Sequence, residues 1–380
     1  MGDLIALTCR SLSKTNLLHA PALHIQLESQ RCDRLLIPRV VAVLKARTCK
    51  LALTLEQQRA QCHIPLLTNV LMKLASCAAV EVCKLCTSKG PSLPHKRYKR
   101  LGCSPDLAQH LMDGFPSLTS LSLHNYAIPC SGLASLLSHP QLALQLQQLD
   151  LSSSTITHLK RPGPGAATLA NLFHASRVKQ LSLLISSPAG EGWHREKPLL
   201  PNLQPLSQHL TQLCLMLRSG VGLDKFTATL QPLAQLQMLT ISCIHRLEGL
   251  PGLLQALPRL HTLQLPDAAV KGQEQMDALL AATQLTSIQL HSLRGLTSSR
   301  ADVPCSWQRL ELTGRPDAGP QLPALMQAMP GAAGWGQGVE VVVTLRRQGL
   351  DGYKPTSKGR KPKSLASGLP GGRLLPDSSV

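Results

Sequence analysis

A short aliphatic pattern recurs along the chain and limits what the chain can fold into. Its copies are LTSLSL at Leu118, LQQLDL at Leu146, VKQLSL at Val178, LTQLCL at Leu210, LQMLTI at Leu236, LHTLQL at Leu260, LTSIQL at Leu285 and WQRLEL at Trp307. The middle apolar residues are Leu121, Leu149, Leu181, Leu213, Leu239, Leu263, Ile288 and Leu310, with gaps of 28, 32, 32, 26, 24, 25 and 22. Alternation over so short a run predicts a half-buried strand in each copy.

The residues between the repeated aliphatics carry most of the signal. Leucine supplies 76 of 380 residues, so a pattern of leucines alone recurs by chance. Of the 24 intervening residues only Cys214 and Met238 are hydrophobic, whereas a chain that is 43% hydrophobic would place about ten there. The alternation is therefore a property of the repeat and not of the composition.

Stretches with helical spacing separate the predicted strands. They include SGLASLLSH from Ser131, AATLANLFHAS from Ala166 and EQMDALLAATQ from Glu274, where Met276, Leu279 and Leu280 fall on one helix face. Each unit is predicted to be a strand, a turn and a helix. Such a unit cannot cover its own apolar side, but stacked units share a continuous core, so the pattern predicts an α/β solenoid.

These repeats resemble the leucine-rich-repeat family, in particular its longer ribonuclease-inhibitor-like repeats, from about Leu118 to Leu312. Weaker copies lie upstream, with middle residues Ile25, Leu53 and Val82 at spacings of 28 and 29, and VEVVVTL at Val339 is predicted to be the last strand. The resemblance implies a leucine-rich-repeat solenoid with a curved parallel sheet, helices on the convex side and a concave surface that binds partners.

The chain departs from that family at the turn after each strand. The family usually has Asn or Cys three residues after the last strand leucine, where the side chain satisfies backbone groups. Here the positions hold Tyr126, Ser154, Ser186, Arg218, Ile244, Ala268, Leu293 and Arg315. We therefore expect the turn geometry to vary from repeat to repeat.

The N-terminal residues allow two interpretations. Residues 4–27 resemble the second half of an F-box through Cys9, Arg10, Leu12, Leu17, Leu18, Pro21 and Leu23. The alternative, which we favour, is an amphipathic cap over the first repeat. The predicted organisation is a helical cap or F-box remnant over 1–49, a solenoid over 50–345 with a basic insertion near 88–102, and a basic disordered tail over 346–380.

The formal charge of +18 is concentrated in two short segments. Residues 346–380 carry +6 and residues 89–100 carry +5, so eleven of the eighteen charges lie there. Both segments resemble nuclear-import or nucleic-acid-binding clusters, although a solvated loop is the commoner role for each. The candidate basic residues are Lys96, Arg97, Lys99, Arg100, Lys358, Arg360, Lys361 and Lys363.

Few residues suggest chemistry. Cys83 and Cys86, with His95 and Cys103, have spacing that could hold zinc, but we favour ordinary thiols because one CxxC pair is weak support. No nucleophile, phosphate-loop or metalloprotease motif is present. The sequence predicts no enzyme, no metal and no cofactor. Twelve reduced cysteines and no long apolar run favour a cytoplasmic protein without a membrane anchor, with a cytoskeletal, axonemal or nuclear location as alternatives.

The predicted concave surface is neutral, because its charged members Asp150, Lys179, Arg309 and Glu311 cancel. This argues against nucleic acid on the sheet, since phosphate binding needs cations. The sequence therefore favours a protein-binding scaffold, with an F-box-like receptor that binds a ubiquitin-ligase adaptor and a basic RNA-associated protein as alternatives. Tyr126 and Trp193 are candidate anchors at the loop edges. The candidate binding residues are Gln148, Asp150, Lys179, Gln180, Gln212, Gln237, His261, Gln264, Gln289, Arg309 and Glu311.

Overall fold

The computed structural model describes residues 5–7, 22–27, 41–42, 44–46, 50–57, 71, 77, 79–87, 99–100, 105–157, 172–185, 201–293, 306–313 and 340–343. All of these belong to the first of two compact units, Met1–Leu345. The second unit, Arg346–Val380, lies outside the described residues, so the disordered tail stays a prediction.

Thirteen parallel strands form one continuous sheet in the described part of the chain. They are β1 Ile5–Leu7, β2 Ala22–Leu27, β3 Leu51–Gln57, β4 Val80–Thr87, β6 Ser120–His124, β8 Gln148–Leu151, β10 Gln180–Ile185, β11 Gln212–Gly222, β12 Met238–Arg246, β13 Thr262–Val270, β14 Ser287–Leu293, β15 Arg309–Leu312 and β16 Glu340–Val343. Spatial order follows chain order throughout this sheet. A second parallel sheet contains β5 Lys99–Arg100, β7 Tyr126–Pro129 and β9 Thr155–Thr157.

Helices connect several of these strands. They are α1 Pro105–Gly114, α2 Cys130–Leu137, α3 Pro140–Gln145, α4 Asp224–Leu230, α5 Leu250–Ala256 and α6 Gln273–Ala281, with a 3₁₀ turn at Gln204–Leu206. The predicted helices at Ser131 and Glu274 are confirmed as α2 and α6, and Met276, Leu279 and Leu280 of α6 are buried as expected. Most of the predicted helix at Ala166 lies outside the described residues. A parallel sheet joined by helices is an α/β solenoid, as the repeats predict.

Strand pairing confirms the repeat frame. The eight middle residues from Leu121 to Leu310 pair in one register row, one on each successive strand from β6 to β15, and all eight are buried. We call this the middle row. It continues through Val341 of β16, so the VEVVVTL segment does supply the last described strand.

The upstream strands are present, but their predicted register is wrong. The middle row runs through Leu23, Leu53 and Cys83, and not through Ile25 and Val82. Glu81 of β4 is an extra residue, because Leu51 pairs with Val80 while Ala52 pairs with Val82. A bulge of this kind shifts the two-residue alternation by one. Cys83 is consequently buried and Val82 only half-buried.

The N-terminal prediction also needs correction. Ile5–Leu7 and Ala22–Leu27 are strands of the main sheet, with Ile5 paired to Leu23. The F-box resemblance implies a helix with Cys9 and Arg10 that includes the first of these segments, which is instead a strand, whereas the cap stays a prediction. Parallel pairing of β1 with β2 and of β2 with β3 explains the difference, because it adds both segments to the stack of repeats. The other residues of 1–21 lie outside the described part of the chain.

The core between the sheet and the helices is almost wholly aliphatic. Leucine is the commonest residue of the middle row and of the row two residues later, and the three phenylalanines, Phe115, Phe173 and Phe226, are all fully buried. Each fully buried leucine or phenylalanine contributes about 1.5–3 kcal/mol relative to exposure. Tyr126 is also buried, and its ring packs in the core. It is therefore not an exposed anchor at a loop edge. Trp193 lies outside the described residues.

The turns after the strands differ from one another, as the missing asparagines predict. Ser154 is buried and its Oγ donates to the Leu123 carbonyl at 2.6 Å while accepting from the Tyr126 amide at 3.0 Å. The equivalent positions in other repeats, Ile244 and Ala268, are instead apolar and buried. One serine therefore satisfies backbone groups as the family's asparagine does, whereas other turns are held by packing.

One glycine has a conformation that the fold requires. Gly249, which precedes α5, has a φ of 84°, in the left-handed region that favours glycine. A Cβ added there would lie 3.1 Å from both the Asp224 Cα and the Thr227 Oγ1. The bare backbone therefore lets α5 approach α4 closely.

Candidate functional site

One face of the main sheet is polar. Its side chains alternate with the buried rows, so a residue on either side of each middle-row residue points away from the core. We call this surface the polar face. Its first row is Ser120, Gln148, Gln180, Gln212, Met238, Thr262, Ser287 and Arg309, and its second row is Lys84, Ser122, Asp150, Ser182, Cys214, Thr240, Gln264, Gln289 and Glu311.

The structure places the predicted binding residues on this face or at its edge. Gln148, Gln180 and Gln212 are consecutive in the first row, where Arg309 also lies. The second row holds Asp150, Gln264, Gln289 and Glu311. The remaining three are exposed residues just before strands, namely Lys179, Gln237 and His261.

Side-chain hydrogen bonds run along the second row from strand to strand. Thr240 Oγ1 donates to Gln264 Oε1 at 2.9 Å, and Gln289 Nε2 donates to Glu311 Oε1 at 2.9 Å. Glu311 also lies 3.5 Å from a guanidinium nitrogen of Arg309 on the same strand. These contacts restrict the rotamers of the side chains, which lowers the entropy that a partner must remove on binding.

A contact between a histidine and an aspartate lies toward the N-terminal half of the face. His124 Nε2 is 3.2 Å from Asp150 Oδ2, and the Ser152 amide donates to Asp150 Oδ1 at 2.9 Å. Burial by itself raises the pKa of the Asp150 carboxyl, but the hydrogen bonds from His124 and Ser152 and the charge of His124 outweigh it and lower the pKa to about 2. Asp150 is therefore a fixed negative charge at neutral pH. Sequence reasoning missed His124, because it lies outside the repeated six-residue frame.

The thiols of this region are not activated. Cys83 and Cys86 lie on opposite faces of β4, one in the core and one half-buried on the polar face, so they cannot share a metal ion. Burial raises the pKa of Cys86 to about 11 and also raises the pKa of Cys83 and Cys214. A reactive cysteine needs a lowered pKa. Within the described residues, no three His, Cys, Asp or Glu side chains are grouped to hold a metal.

The described residues are almost neutral overall. They hold 13 lysines and arginines against 12 aspartates and glutamates, a net charge of +1, while the whole chain carries +18. Lys99 and Arg100 form β5, whose backbone pairs with Tyr126 and Ala127. The other candidate basic residues lie outside the described part of the chain, and they are Lys96, Arg97, Lys358, Arg360, Lys361 and Lys363.

The sequence frame missed two apolar residues of this face. Leu184 and Met216 pair with each other across β10 and β11, and Met216 is 36% exposed. Both follow the last leucine of the six-residue pattern by one position. Continuing the alternation by one more step would have placed them on the polar face.

The architecture is that of an α/β repeat solenoid. A scan against protein-family models and a search of curated proteins found no match to this chain. Among solved structures it is similar to a chain from "Structure of the Toll - Spatzle complex, a molecular hub in Drosophila development and innate immunity", with 13% identity and a TM-score of 0.43. The match covers 90% of this chain and 43% of that one. In the described part of this chain, the helices are all too short or too polar to cross a bilayer.

Proposed function

We propose that this protein is a non-enzymatic scaffold of the leucine-rich-repeat family, with ribonuclease-inhibitor-like repeats, and that it binds another protein on the polar face. The observation that supports the proposal is the continuity of that face. Polar side chains are matched row by row over many strands, and the charges of the second row, on Lys84, Asp150 and Glu311, are of both signs. A neutral, hydrogen-bonding surface suits a protein partner better than a polyanion.

The glutamines of the first row provide the test. Replacing Gln148, Gln180 and Gln212 together by arginine adds three like charges to adjacent strands without touching the core, because these side chains are exposed or half-buried. Partners would first be identified by proximity labelling with the full chain in its native cell. We expect the triple variant to lose at least one of them on co-purification while its circular dichroism stays unchanged.

A matched control places the same charges on another part of the solenoid. Gln141, Gln145 and Gln231 are exposed residues of α3 or the end of α4, and their replacement by arginine should leave the partners bound. If the control variant loses the same partners, or if the first variant retains all of them, the polar face is not the binding surface.

An RNA-associated role is the second candidate, and the charge distribution favours it over the F-box-like receptor. Eleven of the eighteen net charges lie in two short segments, residues 346–380 and residues 89–100. Truncation at Arg346 with neutralisation of Lys96, Arg97, Lys99 and Arg100 should then abolish any salt-sensitive RNA binding. If RNA binding were retained, the basic segments would not be the RNA-binding site. The receptor role is disfavoured by the strand at Ile5–Leu7, and co-purification of a ubiquitin-ligase adaptor through residues 1–27 would revive it.

A further inference from the structure

The residues that lead into strands β10 to β14 form one edge of the main sheet, which we call the basic rim. On each strand the rim comprises the residue immediately before the strand and the residue two positions earlier. The first set is Lys179, Thr211, Gln237, His261 and Thr286, and the second set is Arg177, His209, Gln235, Arg259 and Gln284. All ten are exposed or half-buried, because the leucine or valine between the two members of each pair is buried in the core.

Backbone hydrogen bonds hold the rim in place from strand to strand. The Thr211 amide donates to the Lys179 carbonyl at 2.9 Å, and the amides of Gln237, His261 and Thr286 donate in the same way to the preceding rim residue at 2.8–2.9 Å. Each of these four carbonyls also accepts the amide of the first residue of the next strand at 3.0 Å. The rim side chains therefore project from a rigid backbone, with neighbouring strands about 4.8 Å apart.

The rim carries positive charge and no acidic residue. Arg177, Lys179 and Arg259 are exposed, as are His209 and His261. The Arg259 guanidinium also donates to Gln235 on the preceding strand, which orients it along the rim. The rim ends at β14, because the next cation, on β15, already contacts a glutamate of its own strand.

The acidic residues of these repeats lie away from the rim. In residues 172–185 and 201–293 every Asp or Glu lies in the second half of a strand, in the loop after it or in the following helix, and they are Asp224, Glu248, Asp267, Glu274 and Asp277. Two of the five are in the first turn of a helix, where the helix dipole stabilises a negative charge. The opposite edge of the sheet is consequently left with cations alone.

The surface next to the rim decides between two anionic ligands. The first row of the polar face follows the rim by one residue, and on β10 to β14 neither row of that face holds a charged side chain. Nucleic acid is charged along its whole length and is also held by stacking on aromatic side chains, but no rim position is Phe, Tyr or Trp. A ligand that is acidic at one edge and neutral beside it is a protein.

We propose that the basic rim binds an acidic segment of the partner protein whose remaining contact surface lies on the polar face. The inference rests on the proposed function and specifies the chemistry of one part of the partner. The rim extends over four strand intervals, about 19 Å, which about six extended residues span. Several Asp or Glu residues within such a segment would pair with Arg177, Lys179 and Arg259.

A fluorescent 12-residue peptide of alternating Glu and Ser is a defined probe, and its binding to the full chain is measured by fluorescence anisotropy. The variant with Arg177→Gln, Lys179→Gln and Arg259→Gln should bind the peptide about tenfold more weakly at about 0.1 M salt, because three exposed ion pairs of modest strength are lost together. The basic segments at 89–100 and 346–380 are unchanged in this variant, so their contribution stays constant.

A matched control removes the same charge from the other end of the same strands. Lys225, Arg246 and Lys271 are exposed there, and their replacement by glutamine should change the affinity by less than about twofold. Equal weakening by both variants would mean general attraction to a basic chain, and unchanged binding by the first variant would mean that the peptide binds elsewhere. Either result would overturn the proposal.

A 12-nucleotide uridine RNA tests the other anionic ligand. We expect the three glutamine substitutions in the rim to weaken this RNA by less than about twofold, because its contacts lie mainly in the basic segments. If the RNA is weakened as much as the peptide or more, the rim is a nucleic-acid site and the proposal is wrong.

Two results distinguish failure of this inference from failure of the proposed function. If the rim variant keeps its affinity for the peptide while the triple arginine variant of Gln148, Gln180 and Gln212 loses a native partner, the polar face binds protein without the rim. If that triple variant retains every native partner, the proposed function fails, even where the peptide binds the rim. Circular dichroism and thermal melts of each variant would establish that it is folded.

Discussion

Serine substitutions at Cys83 and Cys86 test the register of the N-terminal repeats. The two residues lie on one strand, three positions apart, and face opposite ways. Cys83 is fully buried in the middle row between Leu53 and Leu121, so Cys83→Ser buries a hydroxyl among aliphatic side chains. The expected loss is about 1–3 kcal/mol of unfolding free energy.

The same substitution at Cys86 is the internal control. Cys86 is half-buried on the polar face, so Cys86→Ser should change the free energy of unfolding by less than about 0.5 kcal/mol. Val82→Thr, which keeps the shape of the side chain, should cost less than about 1 kcal/mol because Val82 is also half-buried. The frame predicted from sequence reverses this order, since it places Val82 in the core and Cys83 beside it.

Urea unfolding followed by far-ultraviolet circular dichroism measures the three free energies. A loss for Cys86→Ser or Val82→Thr that equals or exceeds the loss for Cys83→Ser would refute the bulge at Glu81 and the register drawn from it. Thiol alkylation of the wild-type protein gives an independent readout. Cys86 should be modified before Cys83, because Cys83 reacts only when the repeat opens.

Three further predictions concern single residues of the described strands and turns. Ser154→Ala removes both hydrogen bonds of a buried hydroxyl and should lower the free energy of unfolding in urea by about 1–3 kcal/mol. The control Ser153→Ala should lower it by under about 0.5 kcal/mol, and equal losses would contradict the bridging role of Ser154. Asp150→Asn should lower the free energy of unfolding by about 1–2 kcal/mol at pH 7, after allowance for solvent screening. Because the folded-state pKa of Asp150 is lowered, the stabilisation by its ionised carboxyl is present above about pH 4 and is lost as pH falls toward about 2. The melting temperatures of the wild-type protein and the variant should therefore converge in acid. A difference that stays constant with pH would refute this role of Asp150. Leu239→Ala in the middle row should lower the free energy of unfolding by about 2–5 kcal/mol, whereas Thr240→Ala should lower it by under about 1 kcal/mol. Similar calorimetric melts for the two variants would contradict the placement of Leu239 in the core and Thr240 on the polar face.

The sequence by itself determined the repeat frame from Leu121 to Leu310. Within the six-residue pattern each of those strands alternates without interruption, so burial of one leucine fixes the face of its neighbours. The same rule placed the predicted glutamines on the polar face, as at Gln148 and Gln180. Local periodicity suffices wherever the backbone alternation is regular.

Tertiary structure decided what periodicity could not encode. The bulge at Glu81 exists only relative to the partner strand, and the strand at Ile5–Leu7 forms by pairing with β2. Likewise Leu184 and Met216 are neighbours on the polar face because parallel pairing brings residues 32 positions apart side by side. These features depend on contacts between repeats, and a single repeat does not contain the neighbour that defines them.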